Sequence, residues 1–155
     1  MSLLRRIKQR QLPLPAAAAL LSPWLDLTGQ AYSDADDSEP QPVLHRDLLH
    51  RFATAYLGGL APDDPAVCVT DADLTGLPPL LIQAGTGDGL LSDATALADQ
   101  ARRCGVDTHL ELHPASTHNF QLFWWFSPEA AEAMSRASQF LRRSITAHTH
   151  RANTG

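Results

Sequence analysis

At 155 residues, with 44% hydrophobic and 19% charged residues, the chain is long enough to bury one core and has the composition of a folded globular protein. Its net charge of -5 argues against a nucleic-acid-binding protein, which would carry a basic face, and its two cysteines are too few for a disulfide framework. No stretch approaches the roughly 18 apolar residues of a membrane span, and no signal peptide is recognisable, so we expect a cytoplasmic protein without a membrane span.

The first predicted elements are a short helix and a strand. Residues 2–10 place their apolar side chains on one helical side, and Pro13 and Pro15 stop the helix. A helix of barely two turns is not stable alone, so we interpret it as the end of a longer helix. The apolar run 16–22, closed by Pro23, is typical of a strand that is buried on both faces.

A loop and a second helix follow. Segment 24–43 is rich in glycine, aspartate and proline, which predicts a loop, and its aspartates lack the spacing of an EF-hand. Residues 45–57 have the apolar spacing of an amphipathic helix that ends at Gly58 and Gly59.

The clearest pattern is a strand, a helix and a strand in succession. Segments 79–85 and 107–113 are predicted as strands, and 92–105 has an apolar stripe, a serine that can cap its start, and a terminal glycine. This order predicts a βαβ unit with parallel pairing. The predicted fold class is therefore α/β, with about three parallel strands, 16–22, 79–85 and 107–113, and flanking helices.

The last predicted helix begins at Ser127, an N-cap that is followed by Pro128 and Glu129. Its apolar pattern continues to about Arg143 and then fades. We therefore expect residues 144–155 to form a disordered tail.

Two side chains that could carry chemistry follow predicted strand ends: Asp88 comes after 79–85, and His118 after 107–113. Ligands bind beyond the carboxyl ends of parallel strands, and neighbouring strands are about 4.8 Å apart, so the two side chains can come within hydrogen-bonding reach. A carboxylate bonded to one imidazole nitrogen orients the ring and stabilises its charged form, as in the acid and general base of a hydrolase. On these residues alone, a turn-forming aspartate and a structural histidine are the commoner explanation.

Three segments resemble a known enzyme family and occur in its order: LLSPWLDLTG (20–29), DLTGLPPLLIQAGTGD (73–88) and LADQARRCGVDTHLELHPASTHNFQLF (97–123). They are similar to the C-terminal half of hormone-sensitive-lipase-like esterases and lipases of the α/β-hydrolase fold, over roughly residues 11–142. The resemblance implies that residues 1–143 are a partial α/β-hydrolase domain. It also implies hydrolysis of a small carboxylic ester through an acyl-serine intermediate, with no metal or organic cofactor.

The resemblance assigns catalytic roles to two residues. Asp88 falls on the acid of the family's Ser-His-Asp triad, and His118 on its base. Where the family often has D-P-L, this chain has Asp-Gly-Leu, so Asp93 is a second candidate for the acid, although its place at a helix start explains it well. No substrate-binding residue can be assigned. Four aromatic residues could line an acyl pocket or pack in the core: Trp24, Phe123, Trp124 and Trp125.

The family's nucleophile has no counterpart in these residues. Neither a G-x-S-x-G elbow nor an HGGG-type oxyanion loop occurs in the sequence, and helix 2–10 corresponds to the end of the helix that follows the nucleophile. We therefore expect little ester hydrolysis by this chain alone. Strand 16–22 would have an open edge, which predicts self-association or pairing with a complementing N-terminal half.

Three alternatives stay open at this point. A degenerate half-hydrolase could be a non-catalytic module that binds small apolar ligands or a partner chain. An independent α/β domain could hold a metal with Asp88 and Asp93, but no further ligands can be placed. A cysteine nucleophile would have to be Cys68 or Cys104, and neither position predicts an activated thiolate.

Overall fold

The computed structural model describes residues 1–29, 44, 46–64, 67–69 and 71–153. Its elements in chain order are α1 (Ser2–Gln9), β1 (Ala18–Leu21), α2 (Arg46–Leu57), β2 (Leu80–Gly85), α3 (Leu91–Arg103), β3 (Thr108–His113), a 3-10 helix (Phe120–Phe123) and α4 (Pro128–Asn153). Each predicted helix and strand is present. Most of the predicted loop 24–43 lies outside the described residues.

In the described part of the chain the strands form one parallel sheet in the order β1-β2-β3. Leu80 is aligned with both Ala18 and Thr108, and Gly85 is aligned with His113. The predicted α/β class with three parallel strands is therefore confirmed. Because β2 and β3 end side by side, the loops that follow them begin at the same rim of the sheet.

The core lies around β2, all six residues of which are buried. Its apolar side chains pack with one face of α3, and most of that face is alanine, which lets the helix lie close to the sheet. Complete burial of one leucine or isoleucine contributes about 1.5–3 kcal/mol. The buried residues of α3 are Asp93, Ala94, Leu97, Ala98 and Ala101.

The ends of α3 show one confirmed prediction and one wrong one. At the C-terminus, Gly105 has a φ of +72°, a conformation that glycine adopts without strain. At the N-terminus the predicted cap was wrong, because Ser92 lies inside the helix and Leu90 precedes its first residue. The Leu90 N–H instead donates to the Asp88 carboxylate at 3.0 Å.

The predicted end of the last helix near Arg143 was also wrong. Helix α4 continues to Asn153, so residues 144–153, which we expected to form a disordered tail, are helical; residues 154–155 lie outside the described residues. Three hydroxyls in this part donate to carbonyls four residues earlier, those of Ser144, Thr146 and Thr149. Extending an existing helix costs far less than nucleating one, so the segment needs no apolar stripe of its own.

Strand β1 lies at the margin of the sheet. Its backbone bonds to β2 include Ala18 N–H to Pro79 O at 2.9 Å, and just beyond the strand Ser22 N–H donates to Gln83 O at 2.7 Å. Among the described residues, no strand pairs with the opposite edge of β1. None of the described helices has the length and apolar character needed to cross a bilayer.

Candidate active site

Asp88 lies in the tight loop that leads from β2 to α3. Its backbone N–H donates to Gly85 O at 3.2 Å, and its carbonyl accepts the Leu91 N–H at 3.0 Å. The residue is 5% exposed, and its carboxylate accepts the Leu90 N–H. These bonds fix the carboxylate at the C-terminal rim of the sheet, as the sequence predicts.

His118 follows β3 and meets this carboxylate. Its Nδ1 is 3.2 Å from Oδ2 and 3.3 Å from Oδ1 of Asp88. The imidazole side chain is 16% exposed and the carboxylate is fully buried. In the tautomer that carries its proton on Nδ1, the ring donates to Asp88 and keeps Nε2 as a proton acceptor. The structure therefore brings the two predicted site residues together in the geometry of an orienting acid and a general base.

Gly85 and Gly87 let the loop that carries Asp88 approach the loop that carries His118 closely. A Cβ on Gly85 would clash with the backbone carbonyl of Ala115, and a Cβ on Gly87 would lie 3.1 Å from Cα of Ser116. The loops are joined by backbone hydrogen bonds from Thr86 N–H to His113 O at 2.8 Å and from Gly87 N–H to Ala115 O at 3.0 Å. The glycines around Asp88 are thus needed for contact with the loop that carries His118.

Gly85→Ala is expected to lower the free energy of unfolding by about 3 kcal/mol, because backbone has to move to admit the methyl group. Urea denaturation followed by circular dichroism measures the loss. Gly87→Ala is the matched control, since there the neighbouring atoms need to move by only a few tenths of an ångström. An equal or larger loss in Gly87→Ala would contradict this account of the two glycines.

The environment of Asp88 favours its ionised form. Burial alone would raise the pKa of this carboxyl. The hydrogen bond to His118, the backbone N–H of Leu90, the charge of His118 and the hydroxyl of Ser22 outweigh burial and hold the pKa below its ordinary value of 3.8. Asp88 is therefore negatively charged at neutral pH, which is the state that stabilises a protonated imidazole.

Asp93, the second candidate for the acid, binds elsewhere. One of its carboxylate oxygens accepts the N–H of Leu25 at 2.6 Å and that of Asp26 at 2.9 Å. The residue is 4% exposed. Burial raises the pKa of Asp93 above its ordinary value, the two backbone bonds oppose this, and the charges of Asp26 and Asp88 raise it further. Asp93 joins the segment after β1 to the start of α3.

Asp93→Asn should change how stability depends on pH. The pKa of Asp93 is raised in the folded chain, so the folded state holds this proton more tightly than the unfolded state. The stability that it contributes is complete below the ordinary pKa of 3.8 and is lost as the pH rises through the folded-state pKa. The free energy of unfolding of the wild type should therefore fall, relative to that of the variant, as urea titrations move from about pH 4 to about pH 7. Identical pH dependence would contradict the prediction.

The other candidate groups are more dispersed. Trp24 packs against a small core cluster with Leu44, Leu49 and Leu90. Trp124 and Trp125 are exposed, and the ring of the half-buried Phe123 contacts those of Trp125 and Phe126. An acyl-pocket role for these aromatic residues stays a prediction. Within the described ranges, no group of three or more His, Cys, Asp or Glu side chains is arranged to hold a metal ion.

One contributor to the site was not predicted. Ser22 comes directly after β1, and its hydroxyl accepts the N–H of Asn119, the residue after His118, at 3.2 Å. The available signal was its position in the SPW segment, at the end of a strand that neighbours β2. Strand-end residues of adjacent parallel strands share one rim, so the same reasoning that selects Asp88 and His118 applies to Ser22.

Comparisons with known proteins agree with this fold. A sequence model of the alpha/beta hydrolase fold matches residues 1–122. An acetyl-hydrolase from Streptomyces hygroscopicus is 37% identical over 139 residues, which are 90% of this chain and 46% of that protein. An esterase from Acinetobacter venetianus is 33% identical over 136 residues, 87% of this chain and 45% of that protein. The chain thus spans about half the length of these curated relatives.

Solved structures give the same match. An esterase from the bacterial hormone-sensitive lipase family superimposes with a TM-score of 0.84 at 37% identity, covering 93% of this chain and 48% of that one. A hormone-sensitive lipase from a metagenome library gives a TM-score of 0.85 at 31% identity, covering 92% of this chain and 49% of that one. Because the family model and the solved structures each match most of the chain, this protein belongs to the α/β-hydrolase family, in its hormone-sensitive-lipase-like group.

Proposed function

We propose that this chain supplies the acid and the general base of a serine carboxylesterase, and that a preceding part of the enzyme supplies the nucleophile and the oxyanion hole. The observation that carries the proposal is the contact of 3.2 Å between Nδ1 of His118 and the buried carboxylate of Asp88. A buried carboxylate that orients a histidine at the rim of a parallel sheet suits proton transfer to and from a serine hydroxyl.

In the proposed reaction, Nε2 of His118 takes the proton of the serine hydroxyl while the serine oxygen attacks the ester carbonyl. The tetrahedral adduct then collapses, and His118 gives the proton to the departing alkoxide, which leaves as an alcohol. Water attacks the acyl-serine in the same way, so the carboxylic acid is released and the serine is restored. Asp88 keeps its negative charge throughout and stabilises the imidazolium.

Two observations support a nucleophile outside these residues. The sequence contains no G-x-S-x-G elbow, and the chain spans about half the length of its relatives. We propose that residues 1–143, with the continuation of α4, are the C-terminal half of the catalytic domain and pair with a complementing N-terminal half. A small ester is the proposed substrate, and the cytoplasmic location stays a prediction.

Reconstitution tests the proposal. The chain is co-expressed with the part of the Streptomyces hygroscopicus acetyl-hydrolase that it does not match, and the purified complex is here called the reconstituted enzyme. We expect the reconstituted enzyme to hydrolyse p-nitrophenyl acetate and the chain alone to show no turnover above background. Turnover by the chain alone that His118→Ala abolishes would contradict an external nucleophile. A folded reconstituted enzyme without activity would contradict the catalytic role.

The same experiment addresses the non-catalytic alternative. A module that only binds apolar ligands or a partner has no need for a buried carboxylate paired with a histidine, so the geometry favours the enzyme. If the two parts form a stable complex that never hydrolyses an ester, the binding module becomes the better description.

A further inference from the structure

Ser22 has an unusual backbone conformation at the point where β1 reaches the rim. Its φ is +44°, in the left-handed region that residues other than glycine rarely adopt. The residue is 4% exposed, and its N–H still donates to Gln83 O at 2.7 Å, in line with the bonds between β1 and β2. The chain thus turns sharply at Ser22 without leaving the sheet.

The hydroxyl of Ser22 lies between the two loops that carry the acid and the base. Its oxygen accepts the N–H of Asn119 at 3.2 Å, across 97 positions of the sequence. It also helps to hold the pKa of the Asp88 carboxyl below its ordinary value. A hydroxyl has one proton to donate and lone pairs to accept with, so it can serve the carboxylate and the amide at the same time.

Asn119 shares the left-handed conformation, with a φ of +53°. Such conformations cost about 1–3 kcal/mol each in residues other than glycine and persist where the surroundings hold them. Here the two left-handed residues bond to each other beside the pair formed by Asp88 and His118. A turn that only had to be tight would be satisfied by glycine.

We propose that Ser22 is a positioning residue, whose hydroxyl holds the Asp88 loop and the His118 loop at the separation that their contact requires. It does not touch the reacting atoms and acts through Asp88 and Asn119. The effect of Ser22 on catalysis rests on the proposed function, whereas its positioning of Asp88 and His118 can be measured in this chain without any activity.

Two variants separate the effect of the Ser22 hydroxyl from the effect of its backbone conformation. Ser22→Gly removes the hydroxyl and relieves the left-handed strain, whereas Ser22→Thr keeps a hydroxyl and adds strain through its branched Cβ. If Ser22 has a merely structural role, Ser22→Gly should be the more stable variant and should also be closer to the wild type than Ser22→Thr in the pKa of Asp88 and in kcat. If its hydroxyl positions the pair, Ser22→Thr should keep the pKa of Asp88 and the kcat closer to the wild-type values than Ser22→Gly does, although it is the less stable protein.

The first measurement is the pKa of Asp88 in the full chain, followed by carbon-13 NMR of the labelled carboxyl. We expect Ser22→Gly to raise the pKa of Asp88, because a hydrogen bond to the charged form is lost, and Ser22→Thr to leave it near the wild-type value. The charged groups that act on Asp88, His118 and the neighbouring Asp93, are the same in all three proteins. Ser116→Ala is the control, because it removes an exposed hydroxyl from the His118 loop.

The second measurement is kinetic and uses the reconstituted enzyme. Ser22→Gly should lower kcat about tenfold with little change in KM, because it loses one hydrogen bond to a charged group, whereas Ser22→Thr should retain most of kcat. An unchanged pKa of Asp88 and an unchanged kcat in Ser22→Gly would overturn the inference while leaving the proposed function intact. A shifted pKa in a reconstituted enzyme that is inactive even with Ser22 present would support the positioning role and overturn the proposed function.

Discussion

Replacing His118 by alanine in the reconstituted enzyme is expected to lower kcat for p-nitrophenyl acetate by about a million-fold, because no other group is in place to take the serine proton. The expectation rests on the geometry of a single pair, in which His118 is held by two carboxylate contacts of 3.2 and 3.3 Å from Asp88. Stopped-flow and long-time assays together cover this range of rates.

Two companion variants make the result specific. Asp88→Ala should lower kcat about ten-thousand-fold, less than the loss of the base, because the imidazole is still present but lacks its orienting partner. His148→Ala removes an exposed histidine of α4 and should leave kcat unchanged. If Asp93→Asn reduced kcat as strongly as Asp88→Ala, our assignment of the acid would be wrong. If His118→Ala retained a tenth of the wild-type rate, the proposed mechanism would fail.

The second large effect concerns the outer edge of β1. Ala18 and Ser22 direct their N–H groups to β2, so in a regular parallel ladder the N–H of Ala19 points to the opposite side. An open edge of this kind binds other strands, and we expect the isolated chain to form dimers or larger species. Ala19→Pro removes an outward donor and leaves the ladder with β2 intact, so this variant should be a folded monomer.

Light scattering after size-exclusion chromatography measures this effect, and circular dichroism verifies the fold. Ala18→Pro is the matched control, because it removes the N–H that bonds to Pro79 O and should destabilise the sheet itself by about 3 kcal/mol or more. The edge that we expect to bind a second copy is also the proposed binding edge for the N-terminal half, so Ala19→Pro should prevent reconstitution. A wild-type chain that is cleanly monomeric, or an Ala19→Pro variant that still associates, would contradict the prediction.

The parts of the fold that the sequence predicts well are those with a local cause. The βαβ unit formed by β2, α3 and β3 lies within two residues of its predicted bounds, because a continuous apolar run, an alanine stripe and a terminal glycine each act over a few residues. The contact between Asp88 and His118 follows from the same unit, since two neighbouring parallel strands deliver their loops to one rim. Their catalytic roles come from the family resemblance and stay predictions.

The parts that the sequence does not predict depend on contacts with residues far away in the sequence, or on the free energy of helix extension, which the apolar pattern does not show. The end of α4 was placed about ten residues early, because helix extension continues without an apolar stripe. Serine is a residue type that often caps a helix, which is why the sequence predicts Ser92 as the cap. The helix instead begins at Leu91, and the Asp88 carboxylate accepts the Leu90 N–H in front of it. The position of Ser22 at a strand end can be read from the sequence, but its positive φ and its bond to a partner 97 positions away cannot.

The hydrogen bond between Ser22 and Asn119 also has a consequence for the order of folding. Closing a segment of 97 positions costs more chain entropy than closing the 28 that separate Gln83 from its partner Glu111. Contacts between residues far apart in the sequence form late in folding. Regions that are held by few buried contacts can open locally while the core stays folded. The pairing of β2 with β3 is thus expected to form before the bond between Ser22 and Asn119 fixes the pair of Asp88 and His118, and on warming that pair should come apart before the sheet unfolds.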